Sequence, residues 1–443
     1  MAFTDFFSRR KTCDFVASAN GALTKKYNYF RDFLEHKRSA LEQMAQLEQL
    51  YYGSRINILA VRKQCEELLA SLRSLVQSLI ELGGGRYEDL LAACSRVEQE
   101  LALLFHSGPV CLIGDLVLPL EALRAETMQE AGGKATNLAT IARFVKLPVP
   151  PGFAVTSYAF ERFLEENKLA VPIEMILTSL NPEDPEDLEA QSAIIQNSIR
   201  QAPVPGFLAD KILQAYEVLE AKTQPGVRIA MRSSAVGEDT EASFAGQHLT
   251  VLNVTQENLL EAYKAVLASK YSPRAILYRL NFGLDDRETP MCVAGIALID
   301  SLASGVMYTV DPTRPDSGLL KISSIWGLGE HLVSGEASPD EFYVDKPSGA
   351  ITNRVIGKKG EKLINLAGGG IQLVVVPEEE HAQVSLTDAQ VQTLARYGQK
   401  LEDYFQTPQD IEWALDRQGK LYILQSRPLG LVQAKSEQPF DID

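Results

Sequence analysis

Cysteine is sparse: Cys13, Cys65, Cys94, Cys111 and Cys292 are scattered over 443 residues with no C-x-x-C spacing. That pattern suggests neither a zinc knuckle nor a disulfide framework. Positive charge is in deficit, with 43 Lys and Arg against 58 Asp and Glu for a formal charge of −15, so a phosphate-backbone partner such as nucleic acid is disfavoured. No segment reaches the roughly 18 apolar residues that span a bilayer, and no basic n-region leads into an apolar run with a small-residue cleavage site. A cytosolic protein without membrane contact is the expectation.

Proline is missing from residues 1–108, where Leu, Glu, Gln and Arg dominate. Phe30, Leu34, Leu41, Met44, Leu47 and Tyr51 fall on one helical face, and Ile58, Val61, Cys65, Leu68, Leu72, Leu75 and Leu79 on a second, with Ser54 as its N-cap. Gly83-Gly84-Gly85 ends that helix, and Tyr87, Leu90, Cys94, Val97, Leu101 and Leu104 mark a third. Residues 1–109 are therefore expected to form an antiparallel helical bundle, which periodicity leaves open as a dimerisation arm, a docking platform or a cap.

From about Val110 short strand-like runs, Gly/Pro punctuation and intervening helices indicate an α/β (α+β) domain. Gly132-Gly133-Lys134 opens a helix carrying Leu138, Ile141 and Val145. Backbone donors and a mobile ammonium at a helix start suit an anion, although a plain helix start reads the same. Thr156 and Ser157 can cap the helix with Phe160 and Phe163, and Asn181 to Asp187 reads as a solvated loop. Val227, Ile229 and Met231 alternate with Arg228, Ala230 and Arg232, a strand with one buried face that ends at Arg232. Ala242-Ser243-Phe244-Ala245-Gly246 follows, small enough to bring backbone N–H groups close to a phosphate chain.

Near the C-terminal end, Asp410 to Leu415 and Tyr422 to Arg427 read as two strands of a hairpin. A two-residue Gln418-Gly419 turn sets Glu412 opposite Gln425 and Asp410 opposite Arg427, and puts Ile411, Trp413 and Leu415 with Tyr422 and Leu424 on the core face. Hard oxygens at Glu412 and Gln425 suit Mg²⁺, and Arg427 suits developing phosphate charge. A solvated face with one cross-strand ion pair gives the same pattern.

The run R-S-S-A-V-G-E-D followed by A-S-F-A-G-Q resembles the ATP-binding domain of the phosphoenolpyruvate synthase (pyruvate, water dikinase) and pyruvate phosphate dikinase family, to which rifampicin phosphotransferase is related. G-G-K-A-T-N-L, P-V-P-P-G-F, S-G-V-M-Y-T (S-G-V-M-F-T in relatives), W-G-L-G-E, S-P-D-E-F-Y-V, D-I-E-W-A and Q-S-R-P are similar to family motifs and stand in the family's order over roughly Leu120 to Leu429. Three departures are visible: Ala135 in place of a third glycine, a loop from Asp239 to Ala242 one residue short, and Gly295-Ile296-Ala297-Leu298 where relatives carry a Gln-x-Met that helps hold adenine.

The resemblance implies a two-lobed ATP-grasp fold, with lobes at 110–295 and 296–432 and a tail at 433–443. It implies that Lys134 and Arg232 contact ATP phosphates, Gly246 and Thr250 line a lid, Glu412 and Gln425 hold Mg²⁺, and Arg427 meets the transferred group. Arg232 and Arg427 are then the catalytic residues. Glu330 is open between a cleft carboxylate and one favoured by a helix start. The family passes phosphoryl from ATP to a histidine on a swivelling domain, then to pyruvate or another acceptor. None of His36, His106, His248, His331 or His381 has the family's G-G-x-x-x-H context, so a separate domain or subunit is expected to carry it. The alternatives are a nucleotide-dependent interaction module working through the helices, as in a homodimer, and an ATP-grasp ligase forming an acyl-phosphate.

Overall fold

The computed structural model describes residues 4–52, 58–83, 85–105, 114–182, 184–234, 249–282, 284–333, 335 and 337–430; within the N-terminal helices it describes the side chains of 24–48, 64–83 and 85–101. Ser54, the 242–246 stretch with Gly246, and His106 and His248 lie outside it. The chain divides into two compact units, Met1–Pro109 with Arg279–Glu288, and Val110–Tyr278 with Thr289–Asp443.

The first unit holds α1 (Thr4–Tyr52), α2 (Ile58–Gly83) and α3 (Asp89–Phe105). At four described positions the apolar stripe of α1 is exposed. Phe30, Leu34, Leu41 and Met44 are 46–55% exposed, and α1 turns small and polar residues towards α2 instead. Ala40 is buried, Ser39 Oγ lies 3.3 Å from Ser71 Oγ, and His36 Nδ1 lies 3.3 Å from Ser78 Oγ. Small side chains let the two backbones approach and pair hydroxyls, so packing rather than apolar periodicity decides the contact.

In the second unit every named strand pairs antiparallel among the described residues. β1 (Val117–Pro119), β2 (Gly152–Val155), β3 (Ile229–Ser233), β4 (Thr250–Val254) and β5 (Val293–Ala297) form one sheet in the order β1-β2-β5-β3-β4. β3 is buried on both faces, Ala230 with Ile229 and Met231, because helices cover the sheet, Gly133–Thr140 over Ala230 and Leu259–Ser269 also against β3. The helix Gly133–Thr140 packs its Ala135 and Leu138 onto Ala154, Ala230 and Ile296. Thr156 caps the helix Ser157–Glu166 by accepting from Ala159 N. The expected acidic loop supplies another cap, Asp184, whose side chain accepts from Glu186 N and Asp187 N at the start of Pro185–Gln201.

The second sheet runs β13-β12-β6-β7-β8-β9, with β6 (Ser301–Tyr308), β7 (Leu319–Trp326), β8 (Asp340–Asp345), β9 (Ile351–Val355), β12 (Gln409–Asp416) and β13 (Leu421–Pro428). Between β9 and β12, β10 (Glu361–Asn365) and β11 (Ile371–Val375) pair with each other. The helix Asp388–Phe405 covers one face of the six-stranded sheet, where Val391, Leu394 and Leu401 cluster with Met307, Ile322, Trp413 and Ile423. The alternation of a strand then leaves Asp410, Glu412, Tyr308 and Lys321 on the opposite face.

One buried charge has a measurable consequence. Burial pushes the Glu161 carboxyl up to about 7, against the pull of Lys270, which is itself buried over the rings of Phe160 and Tyr271. A folded-state value above the unfolded one costs stability above the folded value and returns it as pH falls towards the ordinary glutamate range. Glu161 is only half-buried, so solvent screens part of that cost. Glu161→Gln is therefore expected to raise stability by about 2 kcal/mol near pH 8 and by almost nothing near pH 4, as read from urea unfolding at the two pH values.

Candidate functional site

The start of the helix Gly133–Thr140 is stitched to the end of β3. Gly132 has φ +78°, and a Cβ there would sit 1.4 Å from Ser234 O, so only glycine allows the approach. Ser234 Oγ accepts from Ala135 N at 3.1 Å and donates to Ala131 O at 3.0 Å. The Ala135 N–H, one of the backbone donors at this helix start, is thus already engaged. Lys134 Nζ lies 3.4 Å from Ser233 Oγ, beside Arg232. Thr250 pairs with Arg232 across β3 and β4.

The hairpin reaches the same place from the other sheet. Glu412 faces Gln425 and Asp410 faces Arg427, as the alternation predicts, but by a different route. The connection closes earlier than a two-residue turn would, with Leu415 opposite Leu421 and Gly419 at φ +85°. A bulge that leaves Leu424 without a direct partner then restores the register next to Glu412. Leu421 and Ile423 are accordingly the buried apolar members of β13, in place of Tyr422 and Leu424.

The two sheets meet at one ion pair. Arg232 Nη2 donates to Glu412 Oε2 at 2.6 Å, with the two side chains 16% and 25% exposed, and Arg232 Nη1 reaches Leu424 O at 3.5 Å. Burial alone would push the Glu412 carboxyl up, but Arg232, Lys134 and Arg427 together hold it below the usual glutamate range. Arg427 donates to Asp410 Oδ2 through Nε at 3.0 Å and Nη2 at 2.7 Å. Burial raises Asp410 above the ordinary aspartate range against that pairing. Glu330, on the rim, is raised by the protein around it and drawn down by Arg232, which sets it near the cleft.

These residues suit an anion that brings its own cation. Three cations stand against the carboxylates of Asp410 and Glu412, and the Gln425 amide makes no hydrogen bond to a described residue. Glu412 and Gln425 carry oxygen donors of the kind Mg²⁺ prefers, and the cation against Glu412 here is the Arg232 guanidinium. At the link between the sheets, Gly295, Ile296 and Ala297 are buried in β5, and the N–H groups of Ala297 and Leu298 donate to Pro151 O and Arg228 O. Those two N–H groups are therefore not free for a base. Among the histidines, His36 faces Ser78, His331 is buried and His381 Nε2 lies 2.9 Å from Val376 O. The sequence reading gave Ser234 and Asp410 no separate role, although the doubled serine of R-S-S and the cross-strand place of Asp410 are their signals.

Residues 128–441 match the family model described as the pyruvate phosphate dikinase AMP/ATP-binding domain. The chain is 38% identical over 331 residues to a phosphoenolpyruvate synthase of Neisseria meningitidis, covering 70% of this chain and 42% of that protein. It is 36% identical over 343 residues to a phosphoenolpyruvate synthase of Aquifex aeolicus, covering 73% and 40%. A probable phosphoenolpyruvate synthase of Methanothermobacter thermautotrophicus is 34% identical over 321 residues, covering 72% and 46%. The chain thus spans less than half the length of these curated relatives. Stitched helix start, convergent hairpin and match agree, and the chain belongs to the family of pyruvate phosphate dikinase AMP/ATP-binding domains.

Proposed function

We propose that this chain is the ATP-binding, Mg²⁺-dependent half of a phosphoenolpyruvate synthase-like dikinase with an ATP-grasp architecture. The observation that carries the reading is the convergence on Glu412 of Arg232 from the other sheet, Lys134 from a helix start and Arg427 from the neighbouring strand. Phosphoryl transfer asks for positioning and charge neutralisation more than for covalent help from the protein, and this set offers both. Lys134 and Arg232 hold the phosphates, with Thr250 and Gly246 on the lid side. Glu412 and Gln425 hold Mg²⁺, which when bound neutralises phosphate charge. When the nucleotide arrives, Arg232 exchanges its carboxylate partner for phosphate, and Arg427, oriented by Asp410, neutralises the transferred group.

A histidine on another domain or subunit attacks the β-phosphorus and breaks its bond to the oxygen that leaves with AMP; water then takes the γ-phosphate as inorganic phosphate, and the phosphoryl left on the histidine passes to pyruvate or a similar acid. The test is chromatography of nucleotides after the protein is mixed with ATP, Mg²⁺ and the histidine-carrying domain of a relative. AMP is expected; ADP formed with a small carboxylate would support a ligase instead. The exposed stripe of Phe30, Leu34, Leu41 and Met44 on α1 favours an additional role of the helices in self-association.

A further inference from the structure

The cleft face of the second sheet continues past the metal-suited hairpin. Across β13, β12, β6 and β7 the register aligns Arg427, Asp410, Tyr308 and Lys321 in one row. Side chains directly opposite on neighbouring strands stand about 5 Å apart at Cβ and share a face. Tyr308 therefore lies between Asp410 and Lys321, diagonal to Glu412. Met307 and Ile322 are packed under the helix on the other side, which fixes that orientation.

Both neighbours of Tyr308 are engaged elsewhere, Asp410 with Arg427 and Lys321 with Glu341 at 2.6 Å. The Tyr308 hydroxyl makes no hydrogen bond to a described residue, and the residue is partly exposed to the cleft. Burial, then the Asp410 charge, raises the phenol above its ordinary range, so it stays an O–H donor. An unused donor on the same face as Arg427, two strands away with Asp410 between them, is suited to an anionic oxygen as acceptor in such a cleft.

We infer that Tyr308 donates a hydrogen bond to the terminal phosphate of the bound nucleotide, adding a neutral donor to Arg232 and Arg427 at the transferring end. This rests on the nucleotide reading proposed above. A neutral donor there grips the phosphate without adding charge for Asp410 and Glu412 to compete over. The similar strand of the family carries Phe at this place, so Tyr308→Phe removes the hydroxyl alone.

Calorimetric titration of Mg·ATP and of AMP into the protein and into Tyr308→Phe tests the inference. Loss of one hydrogen bond to a charged oxygen is expected to weaken ATP about tenfold and to leave AMP unchanged. Unchanged ATP affinity, or an equal loss for AMP and ATP, would overturn it. Failure of the unaltered protein to bind ATP would instead overturn the underlying nucleotide reading, and this assignment with it. A melting temperature for Tyr308→Phe within a degree or two of the parent's is the accompanying expectation, and a large fall would mark the hydroxyl as structural and overturn its role on ATP.

Discussion

Lys359→Met is expected to destabilise the protein by about 3–5 kcal/mol, the range for a buried ion pair that loses one member. Asp340 and Lys359 are both essentially without solvent contact, at 0% and 1% side-chain exposure. The carboxylate is also held by Gly357 N at 3.0 Å and by Ser385 through N at 2.8 Å and Oγ at 2.6 Å, and Ser385 Oγ meets Ser324 Oγ at 2.9 Å. Lys359 Nζ donates to Gly357 O as well. Removing the ammonium leaves a buried negative charge with amide and hydroxyl donors but no cation. Urea unfolding with an unchanged m-value reads the loss. Asp340→Leu combined with Lys359→Met removes both charges and is expected to cost less than Lys359→Met alone. A larger cost for the double variant would show that the hydrogen bonds, and not the pair, hold the β8 start.

Arg232→Met is expected to weaken ATP binding by at least about tenfold, since charged hydrogen bonds contribute about 1.5–3 kcal/mol each. The empty protein carries a second signature of the same change. Glu412 lies below its ordinary range because Arg232, Lys134 and Arg427 outweigh its burial. Its ionised form therefore adds stability that is present above the unfolded value and lost as pH falls through the lower folded value. Without Arg232, burial weighs more and the folded value rises. The stability gap between parent and variant should be widest near neutral pH and close on acidification. Melting temperatures at several pH values check this, and a gap constant with pH would mean that Arg232 does not set the charge of Glu412.

The hairpin shows how far alternation reads a site. Its facing pairs, Glu412 with Gln425 and Asp410 with Arg427, come out as alternation and a two-residue turn predict only because two departures cancel, an earlier closure of the connection and a compensating bulge. Neither is written in the composition: the earlier closure moves the buried residues of β13 by one position, and the bulge at Leu424 restores the site pairs. On α1 periodicity identifies a helix but not its neighbour, so the apolar stripe and the packed face differ. The Arg232–Glu412 pair joins residues 180 apart, and Asp340 with Lys359 reads as surface charge until the chain brings them inside. Such contacts belong to tertiary packing, which no local pattern carries.

The most direct measurement is the Mg²⁺ dependence of ATP binding, by calorimetry with Mg²⁺ or with EDTA, on the protein and on Glu412→Gln. The account predicts tight binding with Mg²⁺, markedly weaker binding with EDTA, and loss of that difference in Glu412→Gln. ATP held equally under all four conditions, or not at all, would contradict a shared nucleotide and metal cleft between the two sheets.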